Sequence, residues 1–351
     1  MVLNCSRLIF GIFVFSLAMM PSCSKPTETS LPAPQENFAV QKNVEWARPN
    51  GQSLTMDIYI PKTGKAIYPV LVVFHGGGWL INDNSIMSQS AQYIAQHSDY
   101  IVCNVNYRLL GDNGNTVTMN QIIEDVFGAV LWIKDNIHSY GGDSSKVAIT
   151  GDSSGGHLAA MILCCGDKLE SDGFAGSSFG YCPTYLPAGM TAEEVARRNG
   201  LTVQAAILSY GAFDIYTSCL NGLESGGNIF WALAQKNPRG IFGDSINVTA
   251  NGEWYRAVSP VYNIPQASAR SLPPTLCTVG SRDNLVSPAS VKDFVSLLKE
   301  AGQPAEYWEY AGEPHGFLSS GANPLLGISF EKDAPPALDR MIQFLDSTIR
   351  R

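Results

Sequence analysis

Lys146–Ala160 reads KVAITGDSSGGHLAA, and the fold follows from how this stretch changes character in its middle. KVAIT is a short β-branched run of the kind that forms a buried strand. From Ser154 to Cys164 the spacing predicts a helix. Between them stands Gly151-Asp152-Ser153-Ser154-Gly155. Glycines two positions either side of a serine allow a strand to turn sharply into a helix, because a Cβ at either place would meet neighbouring backbone. The turn lifts Ser153 above the sheet. The helix behind it offers free N–H groups and the positive end of its dipole. Chance supplies about 0.2 such patterns in a chain of this length, so the strand before and the helix after carry the weight.

Outward from this point, strand and helix signals alternate. Val44–Ala47 and Leu54–Ile60 flank Pro49-Asn50-Gly51 and read as a hairpin. Pro69–Phe74 and Tyr100–Asn106 read as buried strands, each followed by a helical pattern, Ser85–Gln96 and Met119–Ile137. Past the central turn come Val203–Leu208 and Thr275–Val279 as strands, then a helix over Pro288–Lys299, a strand over Ala305–Tyr310 and an amphipathic closing helix over Ala337–Ile349. This alternation predicts an α/β fold with a mostly parallel sheet covered on both faces. Two insertions, 166–200 and 212–262, break the rhythm. The second carries Phe213, Tyr216, Phe230, Trp231, Phe242, Trp254 and Tyr255. Insertions after sheet strands build lids and pockets, and a small cap is expected here, with packing the larger role of the aromatics.

A second signal directly follows PVLVVF: His75-Gly76-Gly77-Gly78-Trp79. A triple glycine lets the backbone fold tightly and turn its N–H groups inward, which suits a developing oxyanion. A phosphate-binding loop is the bland alternative. The spacing does not fit G-x-G-x-x-G, and no acid for a ribose stands at the right distance.

HGGGW, then VNYRL at Val105–Leu109, then GDSSGGHLAA at Gly151–Ala160, resembles the hormone-sensitive-lipase-type esterases and the bacterial acyl-carbohydrate esterases of the α/β-hydrolase fold. The likeness runs from about Val40 to the C-terminus. It implies a single α/β-hydrolase domain over 38–351, with Ser153 as nucleophile and the N–H groups of Gly77, Gly78 and Ser154 as oxyanion donors. It leaves His75 to hold the loop. Of the five histidines, His315 stands in Glu313-Pro314-His315-Gly316-Phe317 after the last strand, where this fold carries its base in the order Ser, Asp, His. His97 and His138 lie near helix ends, and His157 is one turn past Ser153. Asp283 follows the strand TLCTV and matches the family's acid loop. Asp214, one strand earlier, is its rival. Either carboxylate would hold the imidazole tautomer and steady the imidazolium.

Composition narrows the partners. Of 351 residues 45% are hydrophobic and 15% charged, enough for a large core. The net charge of −8, with no basic run, excludes nucleic acid as an expected partner. Arg7 and the apolar run Leu8–Met20 read as an export signal over 1–23, too short to span a membrane. MPSC ending at Cys23 resembles a lipobox, so membrane attachment through a lipidated Cys23 is expected, with an ordinary signal peptide as the other reading. The Pro-, Ser- and Thr-rich 24–37 would be a flexible linker. An exported chain permits a bridge between Cys182 and Cys219, although sequence does not pair them. No metal or organic cofactor is implied. The expected substrate is an ester of a short acyl group, acetyl or feruloyl, on a small molecule or a polysaccharide. A serine amidase or peptidase of the same fold and a non-catalytic binding member are the other readings. A propeller-bearing peptidase would show a repeat, a cytoplasmic amidase fits export poorly, and a binding member would lack one of the three residues.

Overall fold

The computed structural model describes residues 37–175 and 178–349. The expected export signal, Cys23 and all of the linker but Asn37 lie outside them. In chain order the elements are β1 (Phe38–Ala47), β2 (Leu54–Pro61), β3 (Tyr68–Phe74), α1 (Ser88–His97), β4 (Ile101–Val105), the single turn α2 (Asp112–Asn115), α3 (Met119–Asn136), β5 (Gly142–Asp152) and α4 (Ser154–Cys165). There follow α5 (Ala192–Arg197), β6 (Ala205–Ser209), α6 (Ile215–Leu220), α7 (Ile229–Leu233), α8 (Gly252–Ala257), β7 (Thr275–Gly280), α9 (Pro288–Glu300), β8 (Ala305–Tyr310), the short pair β9 (Ala322–Asn323) and β10 (Ile328–Ser329), and α10 (Phe330–Ile349).

Eight strands form one sheet in the order β1-β2-β4-β3-β5-β6-β7-β8. β1, β2 and β4 pair antiparallel, and from β4 to β8 every pair is parallel. This is the α/β-hydrolase architecture. The order reverses at β3. From β3 the chain crosses through α1 to β4 on one side, then returns through α3 to β5 on the other. Right-handed crossovers in opposite directions put those helices on opposite faces. Accordingly α1 packs on α10, and α3 packs on α4. The carboxyl ends of β3 and β5 are thus neighbours at a topological switch point, with Phe74 paired to Gly151. Both glycine motifs leave the sheet from these two ends.

β4, β6 and β7 are buried along their whole length, and β3 everywhere but Pro69, because helices cover both faces, which accounts for their largely apolar sequences. One charged pair sits within this packing. Arg108, in the loop after β4, binds the fully buried Asp125 of α3 through Nε at 2.8 Å and through Nη2 at 2.6 Å, and Thr184 donates its hydroxyl to the same carboxylate. The pair ties the β4 loop, α3 and the first insertion together. Removing one partner strands a buried charge, so Asp125→Ala should cost about 3–5 kcal/mol in urea unfolding.

The closing helix begins earlier than the expected Ala337. It starts at Phe330 and runs through Pro335 and Pro336. Those prolines withhold only the hydrogen bonds to the carbonyls of Glu331 and Lys332. At the helix start Asp333 accepts the N–H of Ser329 at 2.7 Å. Cys182 and Cys219 are free thiols rather than a bridge, as are the buried Cys103, Cys164, Cys165 and Cys277.

The two insertions pack largely on each other. The ring of Phe174 stacks on Phe242 at 5.6 Å and meets Trp254 edge-on at 5.4 Å, while Tyr181 meets Phe127 of α3 at 5.3 Å. The Trp254, Phe242 and Tyr255 rings complete the cluster. No described residue of insertion 166–200 lines the cavity that holds Ser153. Its apolar side chains are drawn into this cluster, the packing role expected to be the larger one, and the second insertion alone reaches the cavity.

Candidate active site

Ser153 sits between β5 and α4 with φ 53° and ψ −118°. That is a strained backbone for a residue with a side chain. It is held by its own N–H, which donates to the Ser209 carbonyl at 2.9 Å. The flanking glycines are there for space. A Cβ on Gly151 would lie 2.2 Å from the Gly155 carbonyl oxygen, and one on Gly155 would lie 2.0 Å from that of Phe74.

His315, on the loop after β8, places Nε2 at 2.9 Å from Ser153 Oγ and Nδ1 at 2.7 Å from Asp283 Oδ2. A carboxylate facing Nδ1 assigns the proton to that nitrogen and leaves Nε2 as acceptor toward the serine hydroxyl. Asp283 is buried, and its other oxygen accepts the N–H groups of Leu285 at 2.9 Å and Val286 at 2.8 Å. Asp214 is elsewhere. It caps α6 by accepting from the N–H of Thr217 at 2.9 Å and its hydroxyl at 2.7 Å. Tyr210 supports the histidine, its ring edge-on to His315 at 4.8 Å and its hydroxyl accepting from the N–H of Leu318.

The HGGGW loop folds back beside Ser153. The N–H groups of Gly77, Gly78 and Ser154 make no hydrogen bond among the described residues. Gly77 and Gly78 have φ of 133° and 61°, and a Cβ on Gly77 would lie 2.1 Å from the Ile81 carbonyl oxygen. His75 is buried under the loop. It stacks on Tyr107 with ring centroids 4.4 Å apart, and Tyr107 donates its hydroxyl to the His75 carbonyl. Burial pulls its pKa down to about 4, so it is neutral. His157 is a second fastener. The indole N–H of Trp79 can only donate, so Nδ1 of His157 accepts it at 3.2 Å and Nε2 donates to the Val258 carbonyl at 2.8 Å. The loop, α4 and the second insertion are thereby joined. His97 and His138 do not line the cavity.

Asp152, the variable position of the serine motif, carries a role that the pattern does not reveal. Its buried carboxylate accepts the N–H of Gly76 at 2.8 Å and so binds the serine turn to the HGGGW loop. Burial pushes its pKa up to about 6, with the nearby His315 ring and the Gly76 N–H pulling the other way. The folded state therefore holds this proton more tightly than the unfolded chain, and the group's contribution to stability declines as pH rises through about 4 to 6. Asp152→Asn keeps the shape and an acceptor oxygen but has no such titration. Its stability relative to wild type should rise by about 1–3 kcal/mol between about pH 4 and pH 7 in urea unfolding.

The cavity over Ser153 has a volume of about 470 Å³. Phe230 of α7 forms its wall beside the oxyanion loop, where a Cβ on Gly78 would lie 2.9 Å from the ring. The wall beyond His315 is the segment Ser319–Ile328, including the β9–β10 hairpin. Sequence reading assigned nothing to this segment. The available signal was Leu325-Leu326 in an otherwise polar, glycine-rich run.

A probable isoprenylcysteine alpha-carbonyl methylesterase of Arabidopsis thaliana is 23% identical over 74% of this chain and 54% of its own length. A probable carboxylic ester hydrolase of Mycobacterium tuberculosis, LipM, is 29% identical over 78% of this chain and 54% of its own length. The chain thus spans about half the length of these curated relatives. Among solved structures, a truncated carbohydrate esterase from gut microbiota shares the fold with a TM-score of 0.65 at 18% identity, over 90% of this chain and 99% of that one. The family model BD-FAE matches residues 56–298, well over half the sequence. The chain belongs to the BD-FAE family.

Proposed function

We propose that this protein is a carboxylic ester hydrolase acting through an acyl-enzyme on Ser153. The observation that carries the reading is the unbroken line from Asp283 through His315 to Ser153 Oγ, beside a cavity that Gly77, Ser153 and His315 line together. His315 Nε2 takes the hydroxyl proton as Oγ attacks the ester carbonyl. The resulting oxyanion lies on the N–H groups of Gly77, Gly78 and Ser154, which have no hydrogen bond to give up among the described residues. As the carbon–oxygen bond to the alcohol breaks, His315 returns that proton to the leaving oxygen. Water then repeats the sequence on the acyl-enzyme, releasing the acid and restoring Ser153. Asp283 accepts the Nδ1–H of His315 throughout and steadies the imidazolium.

The acyl group is proposed to be short, acetyl first, because the Phe230 ring closes the side of the cavity beside Gly78. Hydrolysis of p-nitrophenyl esters from acetate to decanoate tests both parts. Turnover that falls steeply beyond butyrate is the expected result. Folded protein that hydrolyses none of them would overturn the ester reading, and p-nitroanilides would then separate an amidase from an inactive chain.

A further inference from the structure

Five exposed apolar side chains crowd the mouth of the cavity that holds Ser153: Leu285, Leu325, Leu326, and Ile229 and Leu233 of α7. Leu325 is 97% exposed, Ile229 63%, Leu285 58% and Leu233 57%. Single exposed apolar residues are ordinary on any surface, whereas a group of them around one cavity marks a place where something apolar binds. Two polar atoms of the same wall are already engaged within the protein. Asn323 Oδ1 accepts the N–H groups of Leu325 and Leu326, and Ser320 Oγ accepts that of Gln89. The hairpin's own hydrogen bonds thus hold the two leucines at its tip.

The chain order says which part of an ester meets them. Four groups surround the carbon in the tetrahedral intermediate: Ser153 Oγ, the oxyanion, the acyl substituent and the leaving oxygen. The leaving oxygen must come within reach of His315 Nε2, because that atom hands it a proton. The alcohol therefore departs past His315, over the residues that follow the histidine and the acid. Leu285 stands two residues after Asp283. Leu325 and Leu326 belong to the Ser319–Ile328 wall beyond His315. Three of the five apolar side chains thus follow the acid or the base in the chain and line the same cavity as His315.

Resting on the ester-hydrolase reading above, we propose that the alcohol part of the substrate is an apolar alkyl or aryl group, bound against Leu285, Leu325 and Leu326. A polysaccharide-linked ester, the substrate suggested by export and a surface tether, would instead set sugar hydroxyls against these side chains and lose their hydration without return. The rim selects for a lipophilic ester of a short acid.

The test holds the acyl group at acetyl and varies the alcohol, following acetate release from ethyl, butyl and hexyl acetate and from acetylated xylo-oligosaccharide. The kcat/KM of the wild type should rise about tenfold from ethyl to hexyl acetate, less than full burial of four methylenes would give, because the leucines remain partly open to water. In the double variant Leu285→Ser, Leu325→Ser that rise should flatten. Both positions are exposed, so the fold has little to lose. A flat series in the wild type, a preference for the xylo-oligosaccharide, or a slope unchanged in the variant would each overturn the inference. An unchanged slope with a dimer that the variant dissociates, read by size exclusion, would assign the rim to a second copy of the chain. Turnover of p-nitrophenyl acetate in the same preparation keeps the cases apart. If it is present, a flat series removes only the alcohol assignment. If it is absent, the parent reading fails as well.

Discussion

Replacing Ser153 with alanine is expected to lower kcat/KM toward p-nitrophenyl acetate by about 10⁴- to 10⁶-fold, while leaving the far-ultraviolet circular dichroism unchanged. The size of the loss follows from what remains. Without Oγ there is no acyl-enzyme, and the oxyanion donors can assist only direct attack by water. The fold should survive because the hydroxyl does little for it. Ser153 makes no side-chain capping bond to α4, and the bond it loses is the one to His315. Alanine also carries the same backbone strain as serine at φ 53°, so that cost does not change. A fluorophosphonate should label wild type once and the variant not at all, as read by intact mass. A variant that kept a tenth of the wild-type rate would remove Ser153 from the role assigned to it.

Much of this site was readable because it is built from short, local patterns at strand ends. Gly151 and Gly155 announce the turn through a steric need that holds wherever it occurs, and the glycines after His75 do the same for the adjacent loop. A parallel alternation then makes those two loops neighbours, because β3 and β5 flank the point where the strand order reverses. What stayed hidden depends on contacts between distant residues. Asp152 looks like a filler between Gly151 and Ser153, and its bond to Gly76 across 76 positions exists only in the folded chain. Tyr210 supports His315 from a different strand end, and nothing about an isolated tyrosine after a strand signals that. The division of labour within the insertions stayed hidden for the same reason. Their aromatics alternate in no pattern that separates Phe230, at the cavity wall, from Phe242, in the cluster with Trp254 and Tyr255. The start of α10 stayed hidden because paired prolines ordinarily end a helical pattern, and the bond from Ser329 to Asp333 that marks it leaves no trace in composition.

Asp283→Asn should reduce kcat by about 10⁴-fold with little change in KM, and its comparison with Asp214→Asn decides between the two carboxylates that the sequence left open. The substitution preserves volume and shape. It changes one property, which is that an amide can present its N–H₂ to His315 Nδ1. An imidazole receiving a hydrogen bond at Nδ1 keeps its proton on Nε2, the atom that stands 2.9 Å from Ser153 Oγ, and so cannot accept the serine proton. The charge that steadies the imidazolium disappears in the same step. The loop should persist, because the amide oxygen can still accept the N–H groups of Leu285 and Val286. Asp214→Asn meets a different environment. Its partners are Thr217 and the start of α6, and asparagine caps helices about as well as aspartate, so activity should stay within about twofold and stability within about 1 kcal/mol. Equal losses in the two variants would show that the carboxylates act through the fold rather than on His315. A loss confined to Asp214→Asn would require a site rearranged so that the acid comes from the end of β6, one strand before the 2.7 Å contact between Asp283 and His315.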